Sequence, residues 1–239
     1  MLGLADFGVY TLLWSVVTLA ASLQVPITIT PMMQLGPAAS EWRAKSFFSA
    51  SLAVQLVLHF ALSPIVTAIA LFLLWGRPDA AAITLALNAY IIAFNHYEFL
   101  RRYFYTVNRQ VHVLLLDAVL YALMLAVIFG FVSHGGISLA LYFVLTSGLA
   151  AVACVFASRR LDLHLLWMPA VRVQARRILR VASPLLSSTI AGFIAGNVFL
   201  YVAAWTLGPS EVGGIGAARN IVGPLIIILM ALENGMTRE

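Results

Sequence analysis

Polar side chains inside long apolar segments are the residues of this chain that could take part in binding chemistry. Arg219 lies about six residues past Gly213, hence ~9 Å into an apolar segment, where a guanidinium can hold a phosphate group. Gly216 and Gly223 flank it on the same helical face, so a ligand could approach closely, and Asn220 follows it. These residue types predict a site for an anionic group. Snorkelling toward headgroups or an interhelical bond is the structural alternative.

Three further polar residues lie inside other apolar segments. Asp117 lies about seven residues into the segment 110–132, where a carboxylate can bind a coupling cation or proton. Pairing with arginines near the segment ends is the alternative. His59 and Asn88 belong to polar stripes that recur at helical spacing on two different segments. Such stripes line a cavity if they face inward, or else they join helices by hydrogen bonds; the stripes are Gln55, His59, Ser63 and Thr84, Asn88, Asn95.

Several kinds of chemistry are excluded by what the sequence lacks. Lys45 precedes Ser46 but follows Ala44, so the Gly-Lys-Ser of a phosphate-binding loop is absent. Cys154 is the one cysteine, which excludes a disulfide framework or a thiolate metal cluster. The five histidines have no metal-ligand spacing. We therefore expect no metal, no cofactor and no enzymatic activity.

The composition is that of a membrane protein. Hydrophobic residues make up 62% of the chain and charged residues 10%, whereas a soluble domain carries about 25% charged residues. The net charge of +5 does not predict nucleic-acid binding, because the basic residues lie between apolar segments and form no single patch. Most of the surface is therefore expected to face lipid.

Seven apolar segments meet or approach the length of a membrane span, which is ~20 residues for ~30 Å of hydrocarbon. Turn signals such as 76–79 and 208–211 separate them. The sequence thus predicts an all-α, polytopic membrane helix bundle with about seven transmembrane helices. We place them at residues 8–31, 46–75, 80–98, 110–132, 137–157, 181–206 and 213–234.

The basic residues predict the orientation of this bundle. If the chain changes sides at every span, one side receives twelve basic residues and the other receives only Arg77. Basic loops stay in the cytoplasm, so the first side is predicted to be cytoplasmic. The twelve are Arg43, Lys45, Arg101, Arg102, Arg109, Arg159, Arg160, Arg172, Arg176, Arg177, Arg180 and Arg238.

A short sequence repeat indicates a duplicated architecture. Leu2–Gly8 reads LGLADFG and Leu207–Gly213 reads LGPSEVG, 205 residues later, and a coincidence of turn residues is the alternative. Six spans separate the copies, so both are expected on the same outer face, as in transporters with parallel repeats. At this offset Trp14 corresponds to Arg219, so one copy supplies an aromatic surface and the other a cation.

The repeat also predicts a domain organisation. A full span precedes the second copy and none precedes the first, so two six-helix lobes are expected, with the first helix and most of the second lobe lacking. Residues 1–157 then form five helices of the first lobe, and 181–239 form the first two of the second. Residues 158–180 form a basic connector, whose Val171, Ala175, Ile178 and Leu179 share the apolar face of an amphipathic helix.

Two segments carry a resemblance to a known family. Glu98–Asp117 reads EFLRRYFYTVNRQVHVLLLD and Leu207–Glu233 reads LGPSEVGGIGAARNIVGPLIIILMALE. They resemble polysaccharide exporters that flip lipid-linked oligosaccharides, within the multidrug/oligosaccharidyl-lipid/polysaccharide superfamily. The LGLADFG start resembles the turn between the first two helices of that family.

The resemblance implies a function and a set of partners. In that family two six-helix lobes enclose a cavity that accepts an undecaprenyl-diphosphate headgroup and its sugars. By resemblance, the chain moves a lipid-linked oligosaccharide across the bacterial inner membrane by alternating access, with membrane lipids and a polysaccharide polymerase or assembly machinery as partners. Arg219 is then the cavity cation, with Asn220, Trp14, Asn88 and His59 as further cavity residues and Asp117 for ion coupling.

Three alternatives stay open at this point. A multidrug or cation antiporter of the same architecture would favour acidic residues over basic ones in the cavity. A fragment without the missing helices would be inactive alone. A membrane glycan polymerase or acyltransferase would need a large outer loop with an acid or a histidine, whereas the outer loops here are a few residues long.

Overall fold

Long helices make up almost all of the chain that the computed structural model describes, which is residues 3–36, 41–133, 136–159 and 169–236. These ranges contain helices and short turns and no strand, as the apolar segments predicted. Seven helical rods follow one another in these ranges: α1 (Leu4–Leu35), α2 (Glu41–Leu73), α3 (Ala80–Thr106), α4 (Gln110–Ser133), α5 (Leu139–Ser158), α6 (Pro169–Thr206) and α7 (Pro209–Met236).

Five segments of the described helices are long and apolar enough to cross a membrane, which is compatible with a membrane protein. The spans predicted over 80–98 and 213–234 are present as helices α3 and α7 but are not among these five. In α3 the polar Asn88, Asn95 and His96 lower the hydropathy. The five segments are Leu4–Leu35, Ser46–Leu73, Gln110–Phe131, Leu139–Ser158 and Val171–Thr206.

One end of the bundle, which we call the Arg77 end, gathers the starts of three helices and the α2–α3 turn. Arg77 Nη1 lies 2.8 Å from Asp6 Oδ1, so this turn lies beside the start of α1. The ring of Tyr10 meets that of Tyr142 edge-on at 5.7 Å, which places the start of α5 there too. The start of α7 joins them through Pro209, which contacts Gly8.

The opposite end, which we call the basic end, gathers the other helix ends. Gly36 at the end of α1 packs beside Phe48 of α2 and Thr106 of α3. Phe104 stacks on His112 at the start of α4, and Ile178 of α6 is buried in the same cluster as Phe48. This grouping agrees with the predicted alternation. Described arginines at this end are Arg101, Arg102, Arg109, Arg159, Arg172, Arg176, Arg177 and Arg180.

Arg77, the exception to the charge asymmetry, is held by two carboxylates. Its guanidinium lies 3.0 Å from Asp79 and 2.8 Å from Asp6. The hydrogen bonds that Arg77 donates to Asp79 and then to Asp6 raise the pKa of Arg77, and the bond donated to Asp79 lowers the pKa of Asp79. This local pairing offsets the charge of Arg77.

Packing in the bundle centres on α3 and α5. Phe143 of α5 is fully buried against Ile83 and Leu87 of α3 in a cluster toward the Arg77 end. A second buried cluster, toward the basic end, contains Tyr97 and Phe104 of α3. Since lipid is as apolar as these side chains, close van der Waals contact must hold such clusters together in a membrane.

Helix α1 changes its winding near the basic end. Val25–Ile29 forms a π-helical turn between the α-helical parts Leu4–Gln24 and Thr30–Leu35. Pro26 lies in this turn, and its missing N–H removes a hydrogen bond that an α-helix needs. The π turn packs against α6, so the irregular segment of α1 contacts another helix.

Helix α6 includes much of the predicted connector. Residues 169–180 form its first turns and no separate helix, while 160–168 lie outside the described residues. Of the predicted apolar face, Val171 and Ile178 are buried within the bundle, whereas Leu179 is 49% exposed. At ~1.5 Å per residue, a helix of 38 residues is ~57 Å long, which exceeds the ~30 Å of hydrocarbon. Its basic first turns can therefore extend beyond a bilayer core.

Candidate functional site

The two copies of the sequence repeat pack directly against each other. A β-carbon added to Gly8 would overlap the carbonyl oxygen of Pro209, and one added to Gly213 would overlap the carbonyl oxygen of Leu4. Leu4 and Gly8 correspond to Pro209 and Gly213 at the offset of 205 residues. The contact is thus reciprocal, which is the pattern of two similar helices related by a local twofold axis.

This helix pairing depends on glycine at both positions. With hydrogen as its side chain, Gly8 lets the backbone of α7 approach the backbone of α1, and Gly213 does the same in reverse. One turn further along, Gly216 packs against the side chain of Thr11, which is its own counterpart in the repeat. The repeated segments LGLADFG and LGPSEVG therefore mark an interhelical contact as well as a turn.

A cavity of about 480 Å³ lies beside this α1–α7 pair, and Asn197 and Leu200 of α6 line it as well. Three of the predicted site residues line it: Arg219 and Asn220 from α7, and Trp14 from α1. Ser15, the counterpart of Asn220, is also part of the lining. The walls are therefore formed by repeat-related residues of α1 and α7 together with one face of α6.

Arg219 is the cationic group of this cavity. It lies about ten residues after Pro209, hence ~15 Å along α7 from the Arg77 end. Its guanidinium carbon lies 5.8 Å from the centroid of the Phe199 ring, a cation–π contact. Among the side chains that the structure describes, no carboxylate pairs with Arg219. Its charge is therefore available to a bound anion.

An aromatic surface lines the same cavity as this cation. Trp14 stacks on Tyr10 at 5.8 Å, and the ring of Tyr90 of α3 lies 6.0 Å from that of Trp14. Trp14 is 37% exposed, so one part of the indole remains open to the cavity that it lines. Indole faces can stack on flat or apolar groups of a ligand.

Sequence reasoning did not select Tyr10 and Tyr201 at this site. Tyr10 precedes Trp14 by four residues, and this i, i+4 spacing of two aromatic residues could have identified the surface. The hydroxyl of Tyr201 on α6 lies 2.7 Å from Ser15 Oγ and joins α6 to α1 at the cavity edge. No local signal could have shown that pairing, because the two residues are distant in the sequence.

Asn88 lies away from the Arg219 cavity, in the α2–α3 contact. It is 9% exposed, and its side-chain oxygen accepts a 3.0 Å hydrogen bond from Ser63 Oγ. Its amide nitrogen donates to Thr67 Oγ1 at 3.1 Å. The predicted polar stripes of these two helices therefore face each other here, and Asn88 makes interhelical hydrogen bonds.

His59 is also buried outside the Arg219 cavity. Its Nε2 lies 3.0 Å from Gln55 Nε2, and Gln55 accepts a 2.8 Å hydrogen bond from Thr28 of α1. Gln24, one turn before Thr28, donates to the backbone carbonyl of Asn95 in α3. These bonds connect α1, α2 and α3 in the interior. His59 Nδ1 and the side-chain amide atoms Nδ2 and Oδ1 of Asn95 are buried without a hydrogen-bond partner in the described part of the chain.

Asp117 belongs to a charged cluster at the basic end. Its Oδ2 lies 3.2 Å from Arg101 Nε, and its Oδ1 accepts a hydrogen bond from the hydroxyl of Tyr97. Arg101 Nη1 also lies 2.5 Å from Glu98 Oε1, three residues earlier on α3. Asp117 is therefore compensated by a neighbouring arginine, unlike Arg219, and the cluster ties α4 to α3.

The geometry indicates binding chemistry at the cavity. No group of three or more His, Cys, Asp and Glu is placed to hold a metal ion within the ranges that the structure describes. Comparisons with models of protein families, with curated proteins and with solved structures find no match to this chain. The function is therefore inferred from the cavity and from the sequence pattern.

Proposed function

We propose that this chain is part of a flippase that moves a polyprenyl-diphosphate-linked oligosaccharide outward across a bacterial inner membrane by alternating access. The observation that carries the proposal is the guanidinium of Arg219, which has no carboxylate partner among the described side chains, in a cavity lined by two repeat-related helices. Five apolar helices of spanning length support a membrane location. The resemblance of Glu98–Asp117 and Leu207–Glu233 to polysaccharide exporters supports the substrate class.

Electrostatics favours a diphosphate as the bound group. A cation ~9 Å past Gly213, where the apolar segment of α7 begins, would lie inside the ~30 Å of hydrocarbon, where an unpaired charge is costly. A phosphate offsets this cost, since a guanidinium donates two parallel hydrogen bonds to phosphate oxygens. In this mechanism Arg219 holds the headgroup while the prenyl tail stays in the surrounding lipid.

Size and shape are suitable for the headgroup. A volume of about 480 Å³ lies within the ~300–1,000 Å³ typical of ligand pockets. Trp14 offers an aromatic surface for the first sugar ring, and Asn220 adds amide donors and acceptors beside Arg219. The diphosphate and the first sugar are the part of the substrate that the cavity accepts.

The outward step requires α1 and α7 to separate at the Arg77 end. In the present arrangement Gly8 and Gly213 bring the two backbones into contact there. Movement of α1 away from α7 would open the cavity toward the outer face, and renewed contact would close it. Such motion of two similar bodies around a central site is the general form of alternating access.

Binding of undecaprenyl diphosphate to the purified 239-residue chain in detergent tests the proposal. Arg219→Ala should weaken binding at least about tenfold, because hydrogen bonds to a charged group contribute ~1.5–3 kcal/mol. Arg180→Ala, which removes the same charge from an exposed position at the basic end, is the matched control and should bind normally. Equal binding by the Arg219→Ala variant and the unmodified chain would remove this cavity from the mechanism.

The same assay separates the flippase from a multidrug antiporter. A site for cationic drugs would need a carboxylate, and the cavity lining that the structure describes contains none. We therefore expect a cationic dye to bind weakly. The Arg219→Ala variant should bind this dye at least as tightly as the unmodified chain does. Tight dye binding that competes with undecaprenyl diphosphate would favour the antiporter.

A further inference from the structure

A second cavity of about 500 Å³, which we call the α4–α5 groove, lies between α4 and α5. It shares no residue with the Arg219 cavity. Apolar side chains at helical spacing form most of both walls, and the main ones are Leu116, Leu120 and Leu123 from α4 and Leu149, Ala153 and Phe156 from α5. The groove is therefore a separate binding surface.

The α4 wall of the groove lies mainly along the first half of the helix, from His112 to Leu123. Val113 and Leu120 of α4 are buried, whereas Leu115 and Val119, which line the groove, are 60% and 58% exposed. The ion pair between Asp117 and Arg101 fastens the same first half to α3. The apolar wall that includes Leu115 and Val119 has no protein cover in the described part of the chain.

Two polar groups line the groove at the basic end. His112 stacks on Phe104 with a ring separation of 6.1 Å, and the guanidinium carbon of Arg159 lies 5.5 Å from the centroid of Phe156. Neither His112 nor Arg159 has an ion-pair partner among the described side chains. The positive end of the α4 dipole also lies here, so this end of the groove favours an anion.

The length of the groove corresponds to one leaflet of a bilayer. His112 and Leu123 are 11 residues apart on α4, hence ~16 Å at 1.5 Å per residue, about half of the ~30 Å hydrocarbon thickness. An acyl chain of the leaflet at the basic end would therefore reach from the level of His112 to the inner end of the groove. Apolar walls with a cationic mouth match a lipid whose headgroup is negative.

We propose that the α4–α5 groove binds an anionic phospholipid, with one acyl chain between the two helices and the phosphate held by His112 and Arg159. The lipid would cover the exposed apolar side chains of α4 and α5 that line the groove. This inference does not depend on the proposed flippase activity, because it concerns a different cavity and a different ligand.

Lipid retention by the purified chain in native mass spectrometry tests this proposal. The probes are palmitoyl-oleoyl-phosphatidylglycerol and palmitoyl-oleoyl-phosphatidylcholine, which share their acyl chains and differ in net charge. The unmodified chain should retain the phosphatidylglycerol several-fold better. The double variant His112→Gln, Arg159→Gln should lose this preference, with retention lower by on the order of tenfold.

Two matched controls distinguish the groove from general surface attraction. Arg176→Gln removes a charge at the same end but outside the groove, so retention should not change. Ala153→Trp fills the groove and should reduce the retention of both lipids. Val155→Trp, on another face of α5, should reduce the retention of neither. Circular dichroism checks the folding of each variant.

Two results would overturn the proposal. One is unchanged phosphatidylglycerol retention by the His112→Gln, Arg159→Gln variant. The other is an equal loss in Arg176→Gln, which would mean attraction to the basic end as a whole. If Ala153→Trp does not fold, the comparison of these charge variants decides the outcome.

Discussion

Thr11 of α1 packs directly against the α-carbon of Gly216 in α7, and the two residues occupy the same position of a repeat offset by 205 residues. A residue that contacts its own counterpart lies on or near the local symmetry axis of a pair. The reciprocal contacts of Gly8 and Gly213 lie one turn closer to the Arg77 end. The axis therefore passes through the α1–α7 contact, and the Arg219 cavity opens beside it.

Gly213→Ala should destabilise the chain, whereas Gly214→Ala should not. A β-carbon at Gly213 would overlap the carbonyl oxygen of Leu4, while one at Gly214 meets no atom within 4 Å. Overpacking costs ~1–3 kcal/mol, so the melting temperature in detergent should fall by several degrees for the first variant alone. Equal melting temperatures for the two variants would contradict the close α1–α7 contact.

A reciprocal exchange tests the contact between Thr11 and Gly216. Gly216→Ala should weaken the α1–α7 pair, because the added methyl group meets the Thr11 side chain. Adding Thr11→Gly should recover part of the loss by making room, although glycine itself costs ~1 kcal/mol in a helix. Thermal melts of the two single variants and the double variant give the coupling. Purely additive effects would show that the residues do not touch.

Trp14→Ala should reduce the binding of a lipid-linked sugar diphosphate several-fold, while Trp14→Phe should retain most of it. The indole lines the Arg219 cavity and stacks on Tyr10, so its loss removes the aromatic surface, and phenylalanine preserves a ring. Undecaprenyl diphosphate without sugar should be affected less. A loss of the same size for both ligands would assign Trp14 to the fold of the cavity.

Asp117→Asn should loosen α4 without changing ligand binding at Arg219. The substitution leaves Arg101 with one charged partner, Glu98, and removes a charged acceptor from Tyr97. We expect a loss of ~1–3 kcal/mol in a thermal melt, and Glu211→Gln at an exposed position should cause none. If Asp117 instead couples an ion to transport, its variant will lose transport while keeping its melting temperature.

The Arg77 end should become less stable in acid. Arg77 lowers the pKa of Asp79 in the folded state, so the contribution of this pair is present above the unfolded pKa of ~3.9 and is lost as the pH falls through the lower folded pKa. The effect will be small, because the Asp79 side chain is 45% exposed to solvent. Melting temperatures measured from pH 6 to pH 3 should show this acid-sensitive part in the unmodified chain. If the Arg77→Gln variant shows the same fall in melting temperature in acid, other carboxylates are responsible for that fall.

Much of the helical architecture was predictable, because it depends on local properties. The apolar segments are long, and residues such as Pro78 and Gly208 interrupt them, so the seven helical rods follow from composition and spacing. The continuous helix through 169–180 was not predicted, because four arginines in its first turns resemble an interfacial segment until Val171 and Ile178 are seen to be buried. The short repeat indicated that Trp14 corresponds to Arg219.

Only the tertiary structure decided which polar residues meet. Asn88 and Asn220 are both amides within apolar helices, yet Asn88 bonds to α2 and Asn220 lines the cavity, because each helix is rotated by the packing of all its neighbours. Arg219 and Asp117 are both charged residues within apolar segments, but only Asp117 has a described ion-pair partner, which is Arg101. The sequence by itself determined the helices and their repeated turn, since these depend on neighbours along the chain. Which side chains share a cavity depends on contacts between distant segments, and those contacts arise only when the helices pack.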